Sequence, residues 1–138
     1  MRKLLSLLSL ALCLLIPLHA QEADSPLEGQ MKILARGMRQ LVNQIGDPAK
    51  QQENVSLLET LKKAASDSKG LSPRKTAAIP EKDRETFLAD YRSDMDELKD
   101  ALNQVEEAVK AGQYDKAKSL IGSVNTIKKE GHGKFKVD

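Results

Sequence analysis

The chain has 138 residues with 22 basic and 20 acidic side chains, two histidines, one cysteine and 3% aromatic residues. Arg2 and Lys3 are the only charged residues among the first twenty, so residues 21–138 are formally neutral. This balance, together with the lack of a basic patch interleaved with aromatic residues, argues against a nucleic-acid-binding protein.

The first twenty residues have the pattern of a secretory signal peptide. The positive start at Arg2 and Lys3 precedes a mostly apolar run over residues 4–18, and Ala20 is a small residue suited to cleavage. The run is too short for a membrane span, and no later stretch is apolar over 18 residues. We therefore expect cleavage after Ala20, a periplasmic location, and one mature domain over residues 21–138 that is not embedded in the membrane.

Cys13 lies inside the apolar run, and the stretch Leu10-Ala11-Leu12-Cys13 loosely resembles a lipoprotein cleavage box. The bulky Leu12 and the apolar residues that follow favour the ordinary signal peptide, with lipidation as the minor alternative. The cleaved chain would contain no cysteine. Disulfides, thiolate metal sites and haem attached through C-x-x-C-H are then excluded.

Two helices are predicted in the first half of the mature chain. Ser25-Pro26-Leu27-Glu28 has the pattern of a capping box with proline at the first helical position, and Gly46 ends this helix. Its apolar residues recur at spacings of four and three: Leu27, Met31, Leu34, Met38, Leu41 and Ile45. A second helix is predicted from Asp47-Pro48 to Gly70. Its apolar face consists of Val55, Leu58, Leu61 and Ala65.

Two further helices are predicted after the one long connection, residues 70–80. The third starts after Pro80 and ends at Gly112, and its apolar stripe is Phe87, Tyr91, Met95, Leu98, Leu102, Val105 and Val109. The fourth begins near Tyr114 or Asp115 and carries Ala117, Leu120, Ile121, Val124 and Ile127. The sequence contains no alternating apolar and polar run of the kind that predicts a β-strand. The short breaks within each helix pair predict an all-α fold, an up-down-up-down antiparallel four-helix bundle.

Met31 and His132 are the candidate ligands of a metal cofactor. In such a bundle Met31, about five residues into the first helix, and His132, about six residues before the last residue, lie ~8–9 Å from the same end. A thioether and an imidazole can hold haem iron from opposite sides. Each also has an ordinary interpretation, as core filler for the methionine and as a surface or capping residue for the histidine. The flanking Gly131 and Gly133 fit either close approach of a bulky ligand or a fraying helix end.

The chain resembles the cytochrome b562 family of periplasmic b-type cytochromes. Leu27-Glu28-Gly29-Gln30-Met31 resembles the family's Leu-Glu-x-x-Met opening, whose methionine is an axial haem ligand. His132-Gly133-Lys134-Phe135 resembles its closing His-x-Lys-aromatic segment, whose histidine is the other ligand. The resemblance extends over essentially the whole mature chain.

Some positions depart from the family pattern. Two family aromatic residues that line the haem pocket fall on Tyr91 and Met95, which makes these two candidate haem-contacting residues. Gly131 stands where the family has a tyrosine, and Lys128 stands where it has an arginine. Both proposed ligands are retained.

The resemblance implies a non-covalent haem b whose iron is held by Met31 and His132. With all six iron positions filled, we expect an electron carrier rather than an enzyme, acting as a monomer with an unidentified periplasmic redox protein as partner. Lys128, Lys129 and Lys134 near His132 could contact haem propionates or steer an acidic partner, although a solvated helix face is the favoured interpretation.

The alternative function is a haem-free periplasmic helical bundle that acts as a binding or stress-response protein. An enzyme is less well supported, because no Glu-x-x-His spacing indicates a di-iron centre. One histidine and no cysteine also cannot form a zinc site or a Ser-His-Asp triad at these spacings. The acidic residues of the third helix are expected to form its solvated face: Asp83, Glu85, Asp94, Asp96 and Glu97.

Overall fold

The computed structural model describes residues 25–136, and the predicted signal peptide lies outside them. Within this range the chain forms four α-helices and two 3₁₀ turns, with no strand. The helices are α1 Pro26–Gln44, α2 Gln51–Lys69, α3 Glu81–Lys110 and α4 Tyr114–Phe135, and the 3₁₀ turns are Pro48–Lys50 and Arg74–Ala78. Each helix packs closely on the next along the chain. The predicted all-α four-helix bundle is therefore confirmed.

The start of α1 follows the predicted capping box. The backbone N–H of Glu28 donates to Ser25 Oγ at 3.3 Å, and the N–H of Ser25 donates to the Glu28 carboxylate at 2.9 Å. Each bond satisfies an N–H that has no partner inside the helix. The local sequence therefore determines where this helix begins.

The start of the second helix differs in detail from the prediction. Asp47 accepts a hydrogen bond from the N–H of Ala49 at 2.9 Å, as a cap should, but the turn that follows, Pro48–Lys50, is 3₁₀. α2 therefore begins at Gln51, three residues later than the proline suggests. Such tight turns are common at helix ends, and sequence patterns do not distinguish them from α-helical turns.

Gly112 makes the reversal between α3 and α4. Its φ is +69°, in the left-handed region, and no other residue that the structure describes has a positive φ. Glycine has no Cβ to clash there, so it can end α3 and let α4 start two residues later.

The core is formed by the predicted apolar stripes. Its largest fully buried apolar side chains are Leu41, Leu58, Leu61, Leu102, Val105, Val109 and Val124. None of the helices between residues 25 and 136 has both the length and the apolar character needed to cross a bilayer.

Polar side chains join the helices at the end of the bundle that carries the two short turns. Asn54 is fully buried, donates to the Gln44 carbonyl at 3.2 Å and accepts from Gln44 Nε2 at 2.9 Å. Gln51 Nε2 donates to the Val109 carbonyl at 2.8 Å, which ties α2 to α3. We call this the turn end.

Residues 70–80 cross the opposite end, and we call this segment the strap. It contains the 3₁₀ turn Arg74–Ala78, so the connection is more ordered than its Gly and Pro content suggests. Arg74 Nη2 lies 3.1 Å from Glu28 Oε1 on α1, and Lys75 Nζ donates to the Lys134 carbonyl on α4 at 2.8 Å. The strap therefore contacts both the first turn of α1 and the last turn of α4.

Candidate functional site

Met31 and His132 lie at the same end of the bundle, the strap end. Met31 follows Glu28 by three residues, and His132 precedes Lys134 by two, so each is within about 5 Å of helix rise from a residue that contacts the strap. This position agrees with the one expected from loop lengths.

The side of α1 that carries Met31 can be assigned from its contact with α2. A Cβ added at Gly37 would lie 2.5 Å from Leu61 Cδ2, so Gly37 marks the flank that faces α2. At about 100° per residue, Met31 is about 120° away from Gly37 around the helix. Met31 is half-buried and packs against the core cluster, at the border between the core and the flank turned away from α2.

The side of α4 that carries His132 can be assigned in the same way. The Lys118 side chain lies directly against Gly46, just beyond the end of α1, and so marks the flank of α4 that faces α1. His132 is fourteen residues later, which is within about 40° of Lys118 around the helix. His132 is therefore on the α1-facing flank of the last turns of α4.

The space between α1 and α4 differs from the other three sides of the bundle. α1–α2, α2–α3 and α3–α4 are closely packed pairs, whereas α1 and α4 make few close backbone approaches. We call the space between them the α1–α4 cleft. Depressions of about 540 Å³ beside Gly112 and about 480 Å³ between α3 and α4 contain neither Met31 nor His132.

His132 has the protonation state that iron binding requires. Partial burial lowers its pKa below the ordinary value of 6.5, and the positive charges of Lys128 and Lys136 lower this pKa further. The imidazole is therefore neutral at pH 7, and only the neutral ring has a lone pair free for a metal. Within residues 25–136, no group makes a hydrogen bond to its ring nitrogens.

Tyr91 is almost completely buried at the strap end. Its hydroxyl donates to the Ser68 carbonyl at 2.8 Å, and its ring contacts Phe135 edge-to-face with centroids 5.4 Å apart. Phe135 also contacts Phe87 at 5.3 Å. This aromatic cluster (Phe87, Tyr91 and Phe135) places three of the chain's four aromatic rings next to the turn of α4 that carries His132.

Met95 and Gly131 are less tightly enclosed than their sequence pattern suggests. Met95, one turn after Tyr91 on α3, is half-buried and packs against the core. Gly131 is also half-buried, yet a Cβ added there would meet nothing within 4 Å. α4 remains helical through both glycines to Phe135, so the helix does not end at them.

The three lysines predicted near His132 occupy different surroundings. Lys134 Nζ is 3.0 Å from Asp94 on α3, and Asp94 is mostly buried, so it does not belong to the fully solvated face expected of it. Lys128 is close enough to lower the pKa of His132. Lys129 is exposed.

Two features of this end were not identified from sequence. One is the strap, whose Arg74 and Lys75 reach α1 and α4. The other is the position of Phe135 between two aromatic rings of α3. The only local signal was the proximity of Phe135 to His132 in the chain, because both features depend on residues about 40 or more positions apart.

A sequence model of the family described as Cytochrome b562 matches residues 26–136. The matched range contains all four helices, the strap and both candidate ligands. No curated protein and no solved structure matches the chain significantly.

Proposed function

Because this chain belongs to the cytochrome b562 family, whose members bind haem, we propose that Met31 and His132 are the axial ligands of a b-type haem. The observation that carries the proposal is the position of both residues at one end, on the sides of α1 and α4 that border the cleft. The neutral state of His132 supports its assignment as a ligand.

The haem would be held without covalent attachment. The chain has one cysteine, in the predicted signal peptide, and therefore offers no thiol pair for haem attachment. Two axial bonds and burial of the porphyrin between α1 and α4 would provide the binding free energy. We propose that Tyr91 and Met95 contribute to the wall of this pocket from α3.

The proposed activity is electron transfer. With both Met31 and His132 bound to it, the haem iron would have no position left for a substrate. The bound haem supplies a one-electron couple, and a thioether ligand gives it a higher reduction potential than two histidines would. The chain itself keeps His132 neutral and holds the two ligand-bearing helices together through the strap.

We also propose that residues 21–138 form the haem-binding domain and that the protein is exported to the periplasm after cleavage at Ala20. The charged start, apolar run and small residue within positions 1–20 support this location.

The experiment that tests the ligand assignment compares substitutions of similar shape. The exported protein should bind one haem per chain and give a low-spin, six-coordinate absorption spectrum when reduced. Met31→Leu removes the sulfur but keeps the volume, and we expect a high-spin or five-coordinate spectrum. Met38→Leu, on the same stripe of α1 but buried in the core, is the matched control and should keep the low-spin spectrum.

His132→Ala is tested in parallel with Asn125→Ala, seven residues earlier on the same flank of α4. Only His132→Ala should change the spin state. A low-spin spectrum that survives in Met31→Leu or in His132→Ala would falsify the ligand assignment. A protein that binds no haem at all would favour the haem-free helical bundle.

A further inference from the structure

The charges of this protein are segregated between its helices, although residues 21–138 are neutral as a whole. α3 carries ten acidic and five basic residues. α1 carries one acidic and three basic residues, and α4 carries two acidic and five basic residues. α2 has three of each sign. The net positive charge of α1 and α4 together therefore equals the net negative charge of α3.

The basic residues of α1 lie on one flank. Lys32, Arg36 and Arg39 are spaced by four and three residues, so they are neighbours on one side of the helix. All three are exposed. At about 100° per residue, Arg36 is about 140° from Met31 around α1, so this side faces the solvent opposite the buried stripe. Arg39, about 80° from Met31, lies nearest the α1–α4 cleft.

Two basic residues of α4, together with Lys136 directly after its end, lie on the opposite border of the same cleft. Lys118, Lys129 and Lys136 are separated by eleven and seven residues, which returns each to within about 20° of the others around the helix. Lys118 lies against Gly46, just beyond the end of α1, so the stripe begins on the flank that faces α1. Lys129 precedes His132 by three residues, and Lys128 and Lys136 lie four residues before and after it, so the basic residues of this end surround the candidate ligand.

Lys118 pairs with Asp115 of its own helix at 3.7 Å, whereas four of the other basic residues that the structure describes have no ion pair. Within residues 25–136, Arg36, Arg39, Lys129 and Lys136 have no carboxylate within 4.0 Å, and Arg39 Nε donates only to the Ala35 carbonyl. Lys134, which faces α3 instead, is paired with Asp94. The positive potential is therefore concentrated on the outer faces of α1 and α4.

We propose that this basic face, defined as Arg36, Arg39, Lys128, Lys129 and Lys136, docks an acidic surface of a partner protein. The inference rests on the proposed function, because the α4 part of the face, Lys128, Lys129 and Lys136, borders the end where an electron would enter or leave. Complementary charge accelerates and orients such encounters without requiring a tight complex. An anionic membrane surface fits less well, because membrane-binding faces insert a continuous apolar face with aromatic anchors. The exposed large apolar side chains of α1, Ile33 and Val42, are aliphatic and lie on opposite sides of the helix. The aromatic rings at this end are packed on one another.

The first test measures oxidation of the reduced, haem-loaded protein by small inorganic oxidants, each of which accepts one electron. Hexacyanoferrate(III) carries negative charge, and hexaamminecobalt(III) carries positive charge. As ionic strength rises from about 10 to 200 mM, the rate with hexacyanoferrate(III) should fall and that with hexaamminecobalt(III) should rise. A neutral protein with evenly mixed charges would show neither trend.

Charge-reversal variants locate the effect. Arg36→Glu with Lys129→Glu should lower the rate with hexacyanoferrate(III) at low salt by about tenfold and remove most of its salt dependence. Lys82→Glu with Lys99→Glu on α3 makes the same change in net charge away from the basic face. This control should change the rate much less. Equal effects of the two double variants would overturn the docking face.

The second test uses the haem-free protein, so it does not depend on the proposed cofactor. Poly-L-glutamate added to the isotope-labelled chain should shift amide signals of α1 and α4 and leave α3 unaffected in nuclear magnetic resonance spectra. Amide shifts spread over all helices would contradict a docking face on α1 and α4. Binding to phosphatidylglycerol vesicles without a response to poly-L-glutamate would contradict the proposal that the partner is an acidic protein.

The failures of the two proposals can be told apart. If haem binds but both oxidants react independently of salt, the docking face is wrong and the cytochrome assignment stands. If haem does not bind but poly-L-glutamate shifts only α1 and α4, the docking face stands and the proposed cofactor is wrong.

Discussion

The turn end and the strap end of this bundle differ in how completely they bury their side chains. At the turn end, Leu41, Leu58 and Val109 are fully buried, and Asn54 has its amide satisfied by Gln44. At the strap end, Leu27, Met31, Met95 and Ile127 are only half-buried, and His132 is exposed. The same heptad-like pattern runs through both ends.

The difference indicates that the two ends have different tasks. A well-packed end with satisfied polar groups can stabilise the bundle without assistance. At the strap end, apolar side chains and a neutral imidazole are incompletely buried. A bound cofactor could cover these side chains. We therefore expect stability to depend mainly on the turn end and cofactor binding mainly on the strap end.

The largest expected effect is on the free energy of unfolding of the haem-free protein. Leu58→Ala should lower it by about 2–5 kcal/mol, because a fully buried side chain leaves a cavity. Met31→Ala should lower it by clearly less, because Met31 is only half-buried. Urea denaturation measures both. Equal losses would contradict the contrast between the ends.

Alkaline pH should ionise the buried phenol of Tyr91 at the strap end. Burial raises the pKa of Tyr91 from 10.0 to about 12. As pH rises from 10 to 12, the unfolded chain loses this proton before the folded chain does, so folding loses stability. The advantage of the wild-type protein over Tyr91→Phe should therefore shrink by about 2–3 kcal/mol across this range. Urea denaturation at several pH values measures it, and a constant difference would contradict the raised pKa.

Detaching the strap should have a smaller effect that is confined to one end. Arg74→Gln with Lys75→Gln removes its contacts with Glu28 and Lys134. Because these groups are exposed, the free energy of unfolding should fall by no more than about 1 kcal/mol. Amide hydrogen exchange should nevertheless become faster at the start of α1 and the end of α4, and haem should dissociate faster.

The control for the strap is an exposed ion pair at the turn end. Lys50→Gln removes the pair between Lys50 and Glu53, whose two atoms are 2.8 Å apart and similarly exposed. It should leave the haem dissociation rate unchanged. The strap has no special role if both variants release haem equally fast.

The smallest expected effect is a change in the pKa of His132. Lys128→Gln and Lys136→Gln should each raise this pKa in the haem-free protein, because each removes a positive charge that disfavours the imidazolium ion. Acid should then release haem at a higher pH than in the wild-type protein. Lys134→Gln is the control, because Lys134 is paired with Asp94. A nuclear magnetic resonance titration of the imidazole measures the pKa, and no shift would contradict this account of the site.

Most of the fold could be predicted because its signals are local. The capping box at Ser25 and Glu28 depends on residues three apart, and Gly112 ends a helix through its own backbone freedom. The buried stripes follow from apolar residues that recur every three or four positions. The 3₁₀ turn before Gln51 was missed because helical turns of either kind have similar local sequences.

Much less of the candidate site could be predicted in this way. Tyr91 was expected to line the pocket, but its contacts with Ser68 and Phe135 join residues 23 and 44 positions apart. Lys134 was grouped with the lysines near His132, although its nearest partner is Asp94 on another helix. The periodicity of the sequence does not predict which residue of another helix a side chain contacts.

By itself, the sequence determined the four helices, their order, their buried faces and the end at which Met31 and His132 must both lie. Those properties follow from helical periodicity and loop length. Only the tertiary structure decided that α1 and α4 would stay apart, that the strap would contact both, and that opposite charges would collect on opposite sides. Such features depend on how whole helices pack, and each involves residues that are far apart in the chain.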